Sequence, residues 1–355
     1  MYRSRFPHIL TAVILLLSSI GGFTSCIYEY PEECSEDGPA GWYPTKVDAA
    51  YDTEWYIPIT PRQASYKDST SIFGIAQSQL QPRVPDGLRI ISYPDDGGDM
   101  RSFNLPAHGG EINLRSLSSH LLFYNNDTEY IIIDPQAGFD KTIATTRRHS
   151  PETYQGNSAI GTDISTQPVY SEPDMLYTAS MADYNADAAD SARVINVLLD
   201  PAVYTYVIHF MFKDGLDYVS AARGAISGMA SGVYLSSGNT VNDNGITILY
   251  NCERQNDGLT GAVKSFGVPG YIADLEQIEP TRRYGITLQA YLKNGRLLSF
   301  DFDVTSQVAV QPLGGIIMVD GISIPDSIGK PSGGSGGFNV DVSPWGPSSD
   351  IDIDF

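Results

Sequence analysis

Short stretches in which apolar and polar residues alternate run through most of the chain. Gly, Pro, Asn and Asp interrupt them about every ten residues. Alternation of period two marks a strand with one buried face. In the first half the pattern predicts strands at 54–59, 87–94, 100–105, 111–114, 119–124 and 130–133. Pro58 places the first near a sheet edge, because proline cannot donate to a ladder. Asp95-Asp96-Gly97-Gly98 and Asn125-Asn126-Asp127 read as turns. Residues 145–192 are poorer in apolar positions and are expected to form a long loop between two domains, with a helical turn or two in 183–193. A second strand series opens at Val194, with predicted strands at 194–199, 203–212, 239–250, 262–266, 284–292, 297–304, 316–319 and 322–324. Asn294-Gly295 is the strongest hairpin signal in it. The small, glycine-rich stretch 222–232 is expected to pack closely in a sheet or to bulge. These features predict an all-β fold of sandwich or barrel type in two units.

The two ends depart from this pattern. Arg3 and Arg5 precede an apolar run at 9–20, Gly21-Gly22 break it, and small residues lead up to Cys26. This is the layout of a secretory signal peptide. The run is shorter than the roughly 20 apolar residues that span a bilayer. Residues 26–45 hold Glu29, Glu32 and Glu33 among Pro31, Pro39 and Pro44 and read as an acidic tether. At the other end a Gly/Ser-rich linker leads into two strictly alternating stretches. Phe338, Val340 and Val342 share one face; Ile351, Ile353 and Phe355 share another, opposite Asp350, Asp352 and Asp354. A strand of this kind completes its own sheet or adds to another molecule's. The expected organisation is a signal peptide at 1–25, an acidic tether at 26–45, an N-terminal β-sandwich at 46–180, a C-terminal β-sandwich at 181–330 and a tail of linker and strands at 331–355.

The composition narrows the choice of partners. The 355 residues carry a formal net charge of −20 and include 34 Gly, 22 Pro and 22 Tyr. So acidic a body excludes nucleic acid, whose phosphates need a basic surface, and disfavours adhesion of the body itself to anionic headgroups. Besides Cys26 at the end of the signal peptide, the chain holds Cys34 and Cys252, and pairing between them is left open.

No catalytic constellation is legible. His108, His120, His149 and His209 show no metal-ligand spacing and read as structural. His108-Gly109-Gly110 is unaccompanied by a nucleophile elbow, and Ser227 and Ser231 sit at the wrong offsets for one. The aspartates of the tail lack the glycine and terminal glutamate of a calcium loop. The chain is therefore expected to be no enzyme, with no catalytic residue, no metal and no cofactor.

Two resemblances sharpen this picture. Thr24-Ser25-Cys26, with Phe23 where leucine is commoner, resembles the lipobox of bacterial lipoproteins, which implies acylation of Cys26. The acidic residues behind it resemble the signal that directs Bacteroides-type lipoproteins to the cell surface. The stretches LRIISYPDDGG, FNLPAHGGEINL, YNNDTEYI, EPDMLY, ISGMASGVYL and FNVDVSPWGPSSDIDIDF together resemble the fimbrillin-like lipoproteins of Bacteroidales, within an uncharacterised subgroup. The resemblance implies two transthyretin-like, Greek-key β-sandwiches in tandem. It further implies an outer-membrane, surface-exposed, lipid-anchored protein acting as a pilus subunit or pilus-associated adhesin. In that family a trypsin-like protease cuts after a basic residue near the first strand, and a neighbour's strand fills the groove left behind. Arg62 and Arg83 are the two candidate cut positions, and Phe338, Val340, Val342, Ile351, Ile353 and Phe355 the candidate donor residues. The implied partners are other pilus subunits or further copies of the chain, the outer membrane, and a host protein or glycan. Asp followed by Ser or Thr and then by an apolar residue or Thr resembles the O-glycosylation signal of Bacteroides, which points to Ser69, Ser191 and Ser327. The alternative function is a carbohydrate-binding surface lipoprotein, in which Trp42, Trp55 and Trp345 stack on sugars.

Overall fold

The computed structural model describes residues 42–54, 71–149, 167–185, 193–275 and 282–330. Strands dominate them. In chain order the first are β1 (Tyr43–Tyr51), β2 (Ser71–Ile72), β3 (Ile75–Ala76), β4 (Gly87–Pro94) and β5 (Arg101–Pro106). Next come β6 (Gly109–Leu114), β7 (Ser118–Asn125), β8 (Ile131–Ile133), β9 (Ile143–Thr146) and β10 (Val169–Tyr170). They are followed by β11 (Tyr177–Asn185), β12 (Arg193–Pro201), β13 (Tyr204–Asp214), β14 (Val219–Met229) and β15 (Gly232–Tyr234). The series closes with β16 (Ile246–Arg254), β17 (Gly258–Ser265), β18 (Gly285–Leu292), β19 (Leu297–Asp303) and β20 (Gly315–Ser323). The α-helices among the described residues, Gln77–Leu80, Thr305–Val308 and Asp326–Gly329, are single turns.

The N-terminal sheet has seven strands in the order β5-β4-β7-β11-β12-β1-β6. Its edge strands β5 and β6 are joined by the short turn at Ala107-His108, so the sheet curls back on itself in a barrel-like way. Inward residues of every second position fill it, among them Val47, Leu88, Ile90, Phe123, Tyr177 and Leu199. The C-terminal sheet runs β19-β18-β14-β16-β17-β13-β20, with β10 added beside β16. Its core includes Tyr206, Ile208, Phe210, Ile226, Tyr284 and Ile317. The all-β class with two sandwich-like or barrel-like sheets is thus the observed one.

The hairpin expected at Asn294-Gly295 forms between β18 and β19, and Gly295 has the positive φ of 81° such a turn needs. The glycine-rich stretch does both things expected of it. Gly224 lies flat against the Tyr250 ring, and the register of β14 slips at Gly228 between Ser227 and Met229.

Several placements differ from the sequence expectation; the strand expected at 239–250, for one, runs from Ile246 to Arg254. The strand series that opens at Val194 begins in the N-terminal sheet: β12 pairs in parallel with β1 and antiparallel with β11. Strands of the N-terminal sheet therefore continue to Pro201, past the expected boundary at residue 180. The expected loop at 145–192 also contains β10 and β11; β10 is two residues long and β11 buries only Tyr177, so their sparse apolar positions read as loop.

The sheets are stitched together. β9 pairs with β15 of the second half, and Gly232 comes so near the Ala144 carbonyl that a Cβ would lie 2.5 Å from it. Ile91, Leu122 and Tyr124, on the outer faces of β4 and β7, pack with Ala230, Val233 and Phe266.

Candidate strand-exchange interface

β1 is the strand on which a strand-exchange chemistry would turn. It is interior to the N-terminal sheet, with β12 parallel on one side and β6 antiparallel on the other. Its residues alternate: Thr45, Val47 and Ala49 are buried, while Lys46 and Ala50 are exposed. Lys46 and Asp48 pair on the outer side at 2.8 Å. The inward side chains are small for a core strand, so main-chain bonds to both neighbours are a large part of what holds β1. Lifting it out leaves two rows of unpaired N–H and C=O groups and an apolar slot between β12 and β6.

Aromatic residues fix both ends. At the entry the Arg101 guanidinium lies 4.7 Å and that of Arg115 4.9 Å from the centre of the Trp42 ring. Arg193 of β12 stands 5.3 Å from the Tyr43 ring. At the exit the Tyr51 hydroxyl donates to the Ala107 carbonyl at 2.8 Å, and its ring meets Tyr177 edge-on at 5.2 Å. Burial, reinforced by the nearby Asp127 carboxylate, pushes the Tyr51 phenol up to about 12. Tyr177 is raised to about 12 by burial and by Asp52, Tyr51 and Asp127. Both hydroxyls therefore stay protonated, and the exit of β1 is locked by neutral groups.

Of the two candidate cut positions, Arg62 lies outside the described residues. Arg83 is exposed in the irregular stretch between the helix Gln77–Leu80 and β4. It lines a cleft of about 620 Å³ with Asp86, Asp127, Asp174, Tyr177 and Lys264, in which three carboxylates face two basic residues. Asp127 accepts from the Asp86 backbone N–H at 2.9 Å, which ends this stretch just before β4. Cys26, Cys34, Ser69, Ser191, Trp55, Trp345 and the donor candidates Phe338, Val340, Val342, Ile351, Ile353 and Phe355 also lie outside the described residues. Ser327 is exposed on the terminal one-turn helix. That helix is clamped: Tyr218 donates to Asp326 at 2.6 Å, Lys330 pairs with Asp326, and the Asn294 amide reaches the Ile328 carbonyl at 2.7 Å. The chain thus leaves the C-terminal sheet from a fixed point.

The histidines are dispersed. His108 sits in the β5–β6 turn, where its carbonyl accepts from Ala49 at 3.1 Å. His120 approaches Asp95 at 3.2 Å, and His149 contacts the Ser171 hydroxyl at 2.8 Å. His209 is fully buried on β13, its Nδ1 2.8 Å from the Thr260 hydroxyl. No group of three His, Cys, Asp or Glu residues among the described residues is placed to hold a metal ion. Cys252 on β16 is half-buried, and burial pushes its thiol up to about 12. Trp42, named as a sugar-stacking candidate, is occupied by its two arginines. What sequence reasoning missed is the pair of aromatic clasps on β1 and the partner strands themselves. Only the crowding of Trp42, Tyr43 and Tyr51 around one alternating run hinted at them.

Residues 78–251 match a family described as "Domain of unknown function (DUF5119)". A protein of Bacteroides ovatus named "Putative fimbrium anchoring subunit Fim4B" is 24% identical, the match covering 76% of this chain and 85% of that protein. The crystal structure of a "putative adhesin" from Bacteroides ovatus superposes with a TM-score of 0.52 at 18% identity, over 82% of this chain and 96% of that one. A second Bacteroides ovatus "putative adhesin" gives a TM-score of 0.43 at 8% identity, over 80% of this chain and 90% of that one.

Proposed function

We propose that this chain, which carries a DUF5119 domain at 78–251 and is homologous to a Bacteroides ovatus protein named as a fimbrium anchoring subunit, is itself a surface fimbrial subunit of anchoring type. Its N-terminal segment holds it to the outer membrane through lipid on Cys26. Its C-terminal tail joins it to the next subunit by β-strand addition. The role is structural rather than catalytic, in keeping with the fimbrial relative.

The position of β1 carries the reading. An anchoring subunit must keep the segment that bears its lipid, and β1 is built to stay: interior to its sheet, bonded on both sides and clasped at both ends by aromatic residues. The subunit then has no empty slot of its own and contributes a donor strand. Phe338, Val340 and Val342, or Ile351, Ile353 and Phe355, repeat the every-second-residue spacing of Thr45, Val47 and Ala49. Arg62 and Arg83 remain the proposed processing positions, and Ser69, Ser191 and Ser327 the proposed glycosylation sites.

The test is made in fimbriated cells of the native host. Deleting residues 331–355 should leave the protein in the membrane fraction while fimbriae are shed into the medium. Cys26→Ala should shed the protein together with its fimbriae. Fimbriae that stay on the cells in both strains would exclude the anchoring role.

A further inference from the structure

The connection from β1 to β4 does not stay with its own sheet. β2 and β3 form a minimal hairpin, the helix Gln77–Leu80 follows, and all of it lies on the outer face of the C-terminal sheet. Ile72 and Leu80 are buried there with Val207 of β13 and Ile316 of β20. Ala262 and Met318 flank them. Phe73 stacks flat on His209, ring centres 4.1 Å apart and planes 6° from parallel. At the hairpin tip Gly74 has φ +86° and approaches Gln255 so closely that a Cβ would lie 2.0 Å from its Oε1.

This face is apolar because of strand alternation. Tyr206, Ile208 and Phe210 point into the C-terminal core, so Val207 and His209 point out, and Ile316 and Met318 do the same on β20. Without residues 71–80 a row of apolar side chains would face solvent. Phe73 itself is held at φ 46°, a conformation rare for an aromatic residue and kept only where packing enforces it. The N-terminal segment thus grips both domains: β1 in one sheet, residues 71–80 on the other. Arg62 precedes the second grip and Arg83 follows it.

We infer that residues 71–80 are a retention strap, which keeps the N-terminal segment on the body after the chain is cut at Arg83. In that step a trypsin-like protease adds water across the Arg83–Val84 peptide bond, leaving a carboxylate on Arg83 and an amine on Val84. The two pieces then remain one particle. The inference rests on the anchoring reading for what the segment carries, and not for the grip.

The grip is measured on residues 27–355, the mature chain without the acylation site Cys26, with the recognition sequence of a highly specific endoprotease inserted between Arg83 and Val84. A second chain carries the insertion after Arg62, so that its N-terminal piece has β1 without the strap. After complete nicking, release of a fluorescently labelled N-terminal piece is followed by size-exclusion chromatography. The piece cut after the strap should dissociate at least tenfold more slowly than the piece cut before it. Ile72→Asp in the first chain should abolish that difference. Equal release rates from the two wild-type chains, or no effect of Ile72→Asp in a chain that melts normally before nicking, would overturn the strap. Because the nick is artificial, a chain that is never processed in cells, or that anchors no fimbria, leaves this result standing.

Discussion

At the residue scale the structure turns on a few contacts between large and absent side chains. Tyr250 of β16 is buried, and its ring lies across Gly224 of β14 on one side and Gly261 of β17 on the other. A Cβ on Gly224 would stand 2.1 Å from the ring, and one on Gly261 2.5 Å. Glycine is required here by space, not by φ. Gly224→Val overpacks a site that cannot yield and should cost about 1–3 kcal/mol, read as a lower denaturation midpoint at unchanged slope. A second residue-scale prediction concerns His209. Burial holds its pKa below the ordinary 6.5, and Asp257, 3.5 Å from Nε2, pulls weakly the other way. A histidine with a depressed folded-state pKa contributes its stability in full above pH 6.5 and loses it as pH falls toward the folded value. The cost arises from placing an imidazolium in this buried position. His209→Phe keeps an aromatic partner for Phe73 and removes the titration. The loss of thermal stability between pH 7.5 and pH 5 should be smaller in this variant than in the wild type, as differential scanning fluorimetry would show.

At the element scale alternation was a good guide to strands and faces and a poor guide to partners. The pattern placed β4, β7, β18 and β19 within a residue or two of where they form, and Asn294-Gly295 located their turn chemistry. It did so because each signal is local: a two-residue period or a turn residue with positive φ. β12 was assigned to the wrong neighbour because its alternation, Ile195, Val197 and Leu199 inward, fits any sheet. Its parallel pairing with β1 is written nowhere within either segment. The strap was invisible for a related reason: β2 and β3 are two residues each and depend on Val207 and Ile316, more than a hundred residues away. As for the candidate site, β1 straddles the expected end of the tether at 45 and the start of the N-terminal sandwich at 46, ahead of the first strand that the pattern predicts, at 54–59; the sequence marks only the tail and the arginines. β1 supports an element-scale prediction. Val47 is fully buried at its middle. Val47→Asp places an unpaired charge against Leu88, Ile90 and Phe123, and a buried charge without a partner is strongly unfavourable. Hydrogen exchange should accelerate at least tenfold in β6 and β12, the two strands that pair with β1, and remain slow in β13 and β17. Equal acceleration in all four would mean that β1 does not act as a local unit.

At the scale of the whole molecule, the chain crosses between the two sheets more often than two tandem domains require. Residues 71–80 leave the N-terminal sheet for the outer face of the C-terminal one, and β10 joins β16 there before β11 and β12 return. β15 crosses the other way to pair with β9. Between the sheets lies an apolar layer in which β4 and β7 use their second faces: Ile91, Leu122 and Tyr124 meet Ala202, Val203 and Phe266. An interface of this kind resembles a core more than a contact between beads on a string, and it suits the proposed anchoring role. Under the proposed role, pulling force would enter at the end of the C-terminal sheet and leave through the N-terminal segment, and this layer would share the load with residues 71–80 and the β9–β15 pair. Calorimetry of the wild-type chain should accordingly show one cooperative unfolding transition. Phe266 is 1% exposed at the centre of the layer. Its truncation to alanine removes a ring from a packed site, a change worth about 3–5 kcal/mol. Since that loss falls on the coupling between the sheets and on neither sheet's own core, Phe266→Ala should split the single transition into two. A variant that melts at lower temperature but still in one step would place the cooperativity in the crossing strands and not in the apolar layer.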